Sequence, residues 1–171
     1  MEKKVEAIFF GRDTDERGIK ILVIAETLSK MSHLRLLILK DANVSGKLGC
    51  LSNELGYVEW DKYPFKYLPT CFQPNQLVEL ILKHSSIKQL WNDKKYLPNL
   101  RALDMSHSKN LRKMPDFGDI PNLERLKLKG CEKLVQMDPS IGVLRNLVVL
   151  NLKDLQKPSK HTRQHIWYVL S

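Results

Sequence analysis

The residues able to do chemistry are few and scattered. The five histidines are His33, His84, His107, His161 and His165. Only His161 and His165, spaced i and i+4, would share one face of a helix, and two ligands do not close a zinc site. Three carboxylates cluster in "GRDTDERG" at Asp13, Asp15 and Glu16, where Gly and mixed charge read as a solvated loop. There is no GxSxG elbow. The Gly46-Lys47 pair is followed by Leu48 and lacks the upstream glycine of a phosphate loop. These patterns hold no catalytic set, so no enzyme, metal or cofactor is expected. The three cysteines Cys50, Cys71 and Cys131 form no CxxC pair. That spacing argues against a disulfide framework and for a reducing compartment. What remains is charge in alternation, most evident at Arg125, Lys127 and Lys129, where "ERLKLKG" puts a cation at every second residue.

Alternation needs strands to carry it, and the strands come as a repeat. "LPNLRALDMSHSKNLRKMPDF" from Leu97 is echoed by "IPNLERLKLKGCEKLVQMDPS" from Ile120. The shared template is LxxLxL. It recurs at Leu34-Leu37-Leu39, Leu55-Val58-Trp60, Leu77-Leu80-Leu82, Leu100-Leu103-Met105, Leu123-Leu126-Leu128 and Leu147-Leu150-Leu152, with Val5-Ile8-Phe10 a degenerate first copy. Start-to-start spacings are 29, 21, 22, 23, 23 and 24 residues; the last five fall in the range of leucine-rich repeats. The xLxLx segment has period two, hence a short strand with one buried face. One such strand cannot bury that face alone, and stacked parallel copies can. Steps of three at Leu28-Met31-Leu34 and Ile141-Leu144-Leu147 predict helical or 3-10 turns on the return path. The prolines at 64, 69, 74, 98, 115, 121 and 139 all fall outside the strands. The fold class is therefore α/β: a leucine-rich-repeat solenoid arc, with a parallel sheet on the concave face and short helices, 3-10 turns and loops on the convex face.

The organisation expected is a degenerate repeat and convex helix over 1–33, repeats over 34–155 starting near 34, 55, 77, 100, 123 and 147, and a non-repeat basic tail over 156–171. The turn position after each strand, where Asn often bonds backbone, holds Ala42, Tyr63, Ser85, Ser108, Cys131 and Leu155. Ser and Cys can bond there and Leu155 cannot, so the ladder is expected to fray at its last rung. Cys131 reads as a buried turn residue.

At 171 residues and 43% apolar the chain can bury a sizeable core. Its +9 charge is uneven: residues 1–60 carry 9 basic and 9 acidic side chains, and the rest carry 19 and 10. A basic surplus favours acidic partners without naming them. "MEKKVEAIFFG" has no signal-peptide apolar stretch, and "ILVIA" is too short to cross a bilayer.

Three stretches together form a specific signature: "VEWDKYPFKYLP" with "IKQLW", "LDMSHSKNL", and "PSIGVLRNL". From Lys3 to Asp154 the chain resembles the first leucine-rich repeats of plant intracellular immune receptors, the TIR-NBS-LRR (NLR) disease resistance proteins. These carry an N-terminal Toll/interleukin-1-receptor-like domain and a nucleotide-binding domain. The resemblance implies a non-catalytic module for protein binding in innate immunity and defence signal transduction. Its implied partners are the nucleotide-binding module of the parent receptor, in cis or in trans, held in its resting state, and a pathogen effector or guarded host protein. NAD cleavage and nucleotide binding belong to family domains that this sequence does not contain. The implied location is cytoplasmic, with the nucleus as a second compartment. After Asp154, "LQKPSKHTRQHIWYVLS" leaves the pattern. It reads either as a truncation or as an improvised cap with Ile166, Trp167, Val169 and Leu170 over the open end.

Function then lies on a surface. Repeat positions three, five, seven and eight should face outward as spatial columns. They are Leu36-Tyr57-Glu79-Ala102-Arg125-Val149; Ile38-Glu59-Ile81-Asp104-Lys127-Asn151; Lys40-Asp61-Lys83-Ser106-Lys129-Lys153; and Asp41-Lys62-His84-His107-Gly130-Asp154. The candidate binding surface is Tyr57, Glu59, Lys83, His84, Asp104, Ser106, His107, Arg125, Lys127, Lys129 and Lys153. Arg125, Lys127 and Lys129 should form a basic row beside Lys153, and His84 should lie beside His107. The alternatives are a binder of nucleic acid or anionic lipid, which lacks the interleaved aromatics that stacking on single strands needs, or a truncated gene product without function.

Overall fold

A computed structural model describes residues 4–11, 22–135 and 137–155. The acidic loop at Asp13 to Glu16, the His161/His165 pair and the tail from Gln156 lie outside the described residues.

Each LxL segment forms a strand because its alternate side chains have a core to enter. The strands are β1 (Ala7–Phe10), β2 (Leu22–Ile24), β3 (Leu36–Leu39), β4 (Asn43–Ser45), β5 (Tyr57–Trp60), β6 (Glu79–Ile81), β7 (Ala102–Asp104), β8 (Arg125–Lys127) and β9 (Val149–Asn151), with one short helix, α1 (Ala25–Ser29). Seven strands make a single sheet in the order β1-β3-β5-β6-β7-β8-β9. Every neighbouring pair is parallel and in the register that the repeat sets, from Ala7 opposite Leu36 to Arg125 opposite Val149. This is the solenoid that the spacing predicted. The first leucine of each repeat closes a tight turn: Leu34, Leu55, Leu77, Leu100, Leu123 and Leu147 each donate a backbone N–H three residues back. Convex 3-10 turns occupy Phe117–Asp119 and Pro139–Val143, where Asp116 and Asp138 accept a backbone N–H two residues on as N-caps.

The core is one stack of buried leucines, with the bulkiest residues (Trp60, Tyr63, Phe72 and Phe117) reaching in from strand, turn and convex loop. Trp60, Tyr63 and Phe65 meet edge to face, the arrangement that aromatic quadrupoles favour. The "VEWDKYPF" block is thus packing chemistry.

Two features differ from the sequence expectation. First, β2 and β4 pair in parallel as a separate two-stranded sheet. "ILVIA" lacks the LxxLxL template, so repeat counting passed over it. Second, Cys50 and Cys71 form a disulfide with a Cα–Cα separation of 5.5 Å. The reading against disulfides considered closeness along the chain. The pair is 21 residues apart, which equals the 21-residue step from Leu34 to Leu55. In a solenoid one repeat length is a nearest-neighbour distance, and both cysteines sit on the exposed side of adjacent repeats. Cys131 remains free and buried.

Candidate interaction face

The strand registers place the third- and fifth-position residues in columns, each strand about 4.8 Å from the next. The eighth-position column has a conformational role that pattern reading missed. Asp41, Lys62, His84, His107 and Asp154 have φ between 54° and 62°, and Gly130 has φ 69°. All sit in the left-handed region, where the chain turns out of the strand. Asp, His and Gly tolerate that region best, and this preference was the available signal. Their N–H groups extend the ladder: Lys62 to Lys83, His84 to Ser106, His107 to Lys129 and Gly130 to Lys153 carbonyls.

Left-handed turns hold His84 and His107 in adjacent registers, and their rings stack at 5.0 Å with 8° between planes. A Cβ on Gly130 would come within 2.7 Å of His107 Nδ1. The absent side chain is therefore what lets the His107 ring lie over the next repeat.

Beneath the turn, Ser108 Oγ donates to Leu82 O at 2.9 Å and meets Ser85 Oγ at 2.7 Å. Cys131 Sγ donates to Met105 O at 3.1 Å. Burial pushes the Cys131 thiol up to about 11, with Asp104 adding to the rise, so it is a hydrogen-bonding turn residue and not a nucleophile. A second ladder explains the repeated Pro-Asn-Leu: Asn99 Nδ2 donates to Asn75 O and Asn122 Nδ2 to Pro98 O, both at 2.8 Å.

Most charge through the middle of the concave face is paired, while half-buried Asp61 on the seventh column makes no ion pair among the described residues. Lys40 bridges Glu59 at 3.1 Å, and Tyr57 Oη donates to the other Glu59 oxygen at 3.1 Å. Burial, then the Glu59 carboxylate, pushes the Tyr57 phenol up to about 12, so it stays protonated. Lys62 bridges Asp41 at 2.6 Å, and Lys83 lies 3.7 Å from Asp104. A shallow depression of about 270 Å³ lies among Lys40, Asp41, Glu59, Asp61, Ile81, Lys83 and His84.

Two expectations about this face need correction. Asp104 and Ser106 are each only 7% exposed. Asp104 accepts the Ser106 N–H at 3.0 Å, so this pair shapes the sheet edge instead of offering free groups. Arg125 is not part of a free basic row: its guanidinium spans two strands to Glu79 at 2.9 Å and also reaches Glu124 at 3.8 Å. Lys127, Lys129 and Lys153 keep their place together at the β8–β9 end with no carboxylate in bridging distance among the described residues.

The opposite, convex side carries a buried lysine that sequence reading did not single out. Lys95 is 4% exposed, with Nζ on Thr70 O at 2.5 Å and Asp93 Oδ2 at 2.7 Å. It straps one convex loop to the next. Among the described residues no group of three or more His, Cys, Asp or Glu is gathered as for a metal ion, and no helix is long and apolar enough to cross a membrane.

A continuous parallel sheet, 3-10 turns on the return path and inter-repeat side-chain ladders define a leucine-rich-repeat solenoid. No family model matches the chain. Curated proteins do match: it is 48% identical over 94 residues to Disease resistance protein RPV1 of Vitis rotundifolia, 33% over 129 residues to TMV resistance protein N of Nicotiana glutinosa, and 33% over 159 residues to Disease resistance protein RRS1 of Arabidopsis thaliana. These matches cover 55%, 75% and 88% of this chain. The chain is thus a homologue of the plant TIR-NBS-LRR disease resistance proteins. It spans 7% to 11% of the length of these relatives.

Proposed function

We propose that this chain serves as a non-catalytic interaction module in plant intracellular immunity, acting in the cytoplasm and the nucleus, where a reducing environment would hold Cys50 and Cys71 as adjacent thiols. The observation that carries the reading is the homology with disease resistance proteins over the repeats themselves. The geometry supports it: the ordered polar groups are spent on inter-repeat ladders, and what is presented outward is a face, not a reaction centre. Its partner is the nucleotide-binding module of a receptor, held in its resting, ADP-bound state by this contact. Recognition of a pathogen effector, or of a guarded host protein, shifts that two-state equilibrium by its differential affinity for the two states.

The test is co-expression of the chain with the nucleotide-binding module of a homologous receptor, followed by affinity capture and a cell-death readout. Capture of the module, together with suppression of its spontaneous signalling, is the expected result. Signalling that is unchanged at saturating chain, with no capture, would reject the role.

A further inference from the structure

The concave face is polarised from one end to the other, and the polarity specifies a ligand. At the β1–β3 end the outward positions are apolar: Phe9 is 67% exposed, and its column continues through Ile38, with Leu36 on the parallel column. In the middle every carboxylate on the third and fifth columns is matched, Glu59 by Lys40 and Tyr57, Glu79 by Arg125, and Asp104 by Lys83. At the β8–β9 end stand Lys127, Lys129 and Lys153, whose ammonium groups have no carboxylate partner among the described residues. Lys127 and Lys153 are exposed and Lys129 is half-buried. Lys129 and Lys153 stand in the turns just past β8 and β9, in one column, where Gly130 N–H bonds Lys153 O at 2.9 Å.

Three neighbouring like charges repel one another. Elsewhere on this face Lys40, Lys62, Lys83 and Arg125 each have a carboxylate. The unmatched cluster therefore points to an anion from outside. Exposed Phe9, standing with Ile38 at the opposite end, points to an apolar anchor of the same partner. We infer that the concave face binds one extended protein segment with apolar side chains at the β1–β3 end and clustered carboxylates at the β8–β9 end. This rests on the interaction-module reading and gives it a ligand chemistry. From Ile38 to Lys127 there are four strand steps, about 19 Å along the sheet at the usual strand spacing. An extended chain covers that in about six residues. With Glu59, Glu79 and Asp104 matched, the middle asks for a polar spacer, and Asp61 disfavours an acidic one.

The test is fluorescence anisotropy of labelled peptides with the full 171-residue chain. The probe is Leu-Phe-Leu, a six-residue Ser/Thr/Gly spacer, then Glu-Glu-Glu. Binding is expected to weaken about tenfold or more in the K127E/K129E/K153E variant. A charge-matched K4E/K30E/K47E variant is expected to bind as the wild type does, and circular dichroism checks both folds. On the ligand side, which no misfolding affects, Ser in place of the apolar triplet or a two-residue spacer is expected to cost about fivefold or more. Equal affinity for all these peptides overturns the inference. So does oligo-deoxythymidine of equal charge binding as tightly as the probe, which would make the patch a general polyanion site. If the probe fails while the chain still captures the nucleotide-binding module, the split-face ligand is wrong and the module reading stands. If capture fails too, both fall.

Discussion

The middle of the solenoid and its two ends obey the same repeat with different outcomes. From β5 to β8 the inward leucines are sealed on both sides, and Ser108, Cys131, Asn99 and Asn122 each tie one repeat to the one before. At β1 and β9 the same template is less well sealed: Ile8, Phe10, Leu147, Leu150 and Leu152 are only partly buried. A repeat is stable in proportion to the neighbours it touches. Among the described residues β1 and β9 each have one strand neighbour, so each shares about half the inter-repeat contact of a strand in the middle. The lesson is that similarity between repeats describes what each can bury, and position in the stack decides what each does bury.

Substitutions break this comparison in graded order. Phe117→Ala removes a fully buried ring from the middle and is expected to cost about 3–5 kcal/mol, whereas Phe9→Ser at the edge should cost under about 0.5 kcal/mol; urea unfolding of the two variants reads the contrast. Reduction of Cys50–Cys71 releases a loop of 21 residues and should lower stability by about 3 kcal/mol. Thermal unfolding with and without reductant measures it. After reduction, iodoacetamide should label Cys50 and Cys71 quickly, while Cys131, buried with its thiol raised to about 11, should stay unlabelled until unfolding, as mass spectrometry would show.

Smaller effects sharpen the picture. Ser108→Ala strips Leu82 O of its side-chain donor in the closed middle and should cost about 1–2 kcal/mol. Exposed Asn146 only reaches a neighbouring Asn at 3.4 Å, so Asn146→Ala beside β9 should cost about half that or less. Lys62 sits at φ 60°, so Lys62→Gly should raise stability by up to about 1 kcal/mol, the opposite sign from Gly130→Ala. The latter adds a left-handed Ala and a contact with His107, and chemical denaturation of both variants would show the pair of signs.

Most of the architecture was legible because period two and a spacing of 21 to 24 residues report directly on which side chains share a face and which strands are neighbours. Columns such as Leu36-Tyr57-Glu79 follow from register alone. Three things were hidden because they depend on distance across the stack. The Cys50–Cys71 bridge needed sequence separation to be read modulo one repeat. The Arg125–Glu79 pair skips a strand, over the small Ala102 between them, so neither residue's own repeat announces it. The left-handed eighth column was visible in kind at Asp41, His84, His107, Gly130 and Asp154, but those residues read as an outward column of charge and a histidine pair before they read as backbone geometry. The β2–β4 sheet obeys no repeat and left no periodic signal.

Native-state hydrogen exchange tests the central claim most directly, that the repeats from β5 to β8 are held more firmly than β1 and β9. The expected profile is a maximum of protection at the ladder amides of Leu82 and Met105, which donate to the carbonyls of Asp104 and Lys127 in the following repeat. Protection should fall toward β1 and β9 on either side. Uniform protection from β1 to β9, or a maximum at either terminal strand, would contradict it.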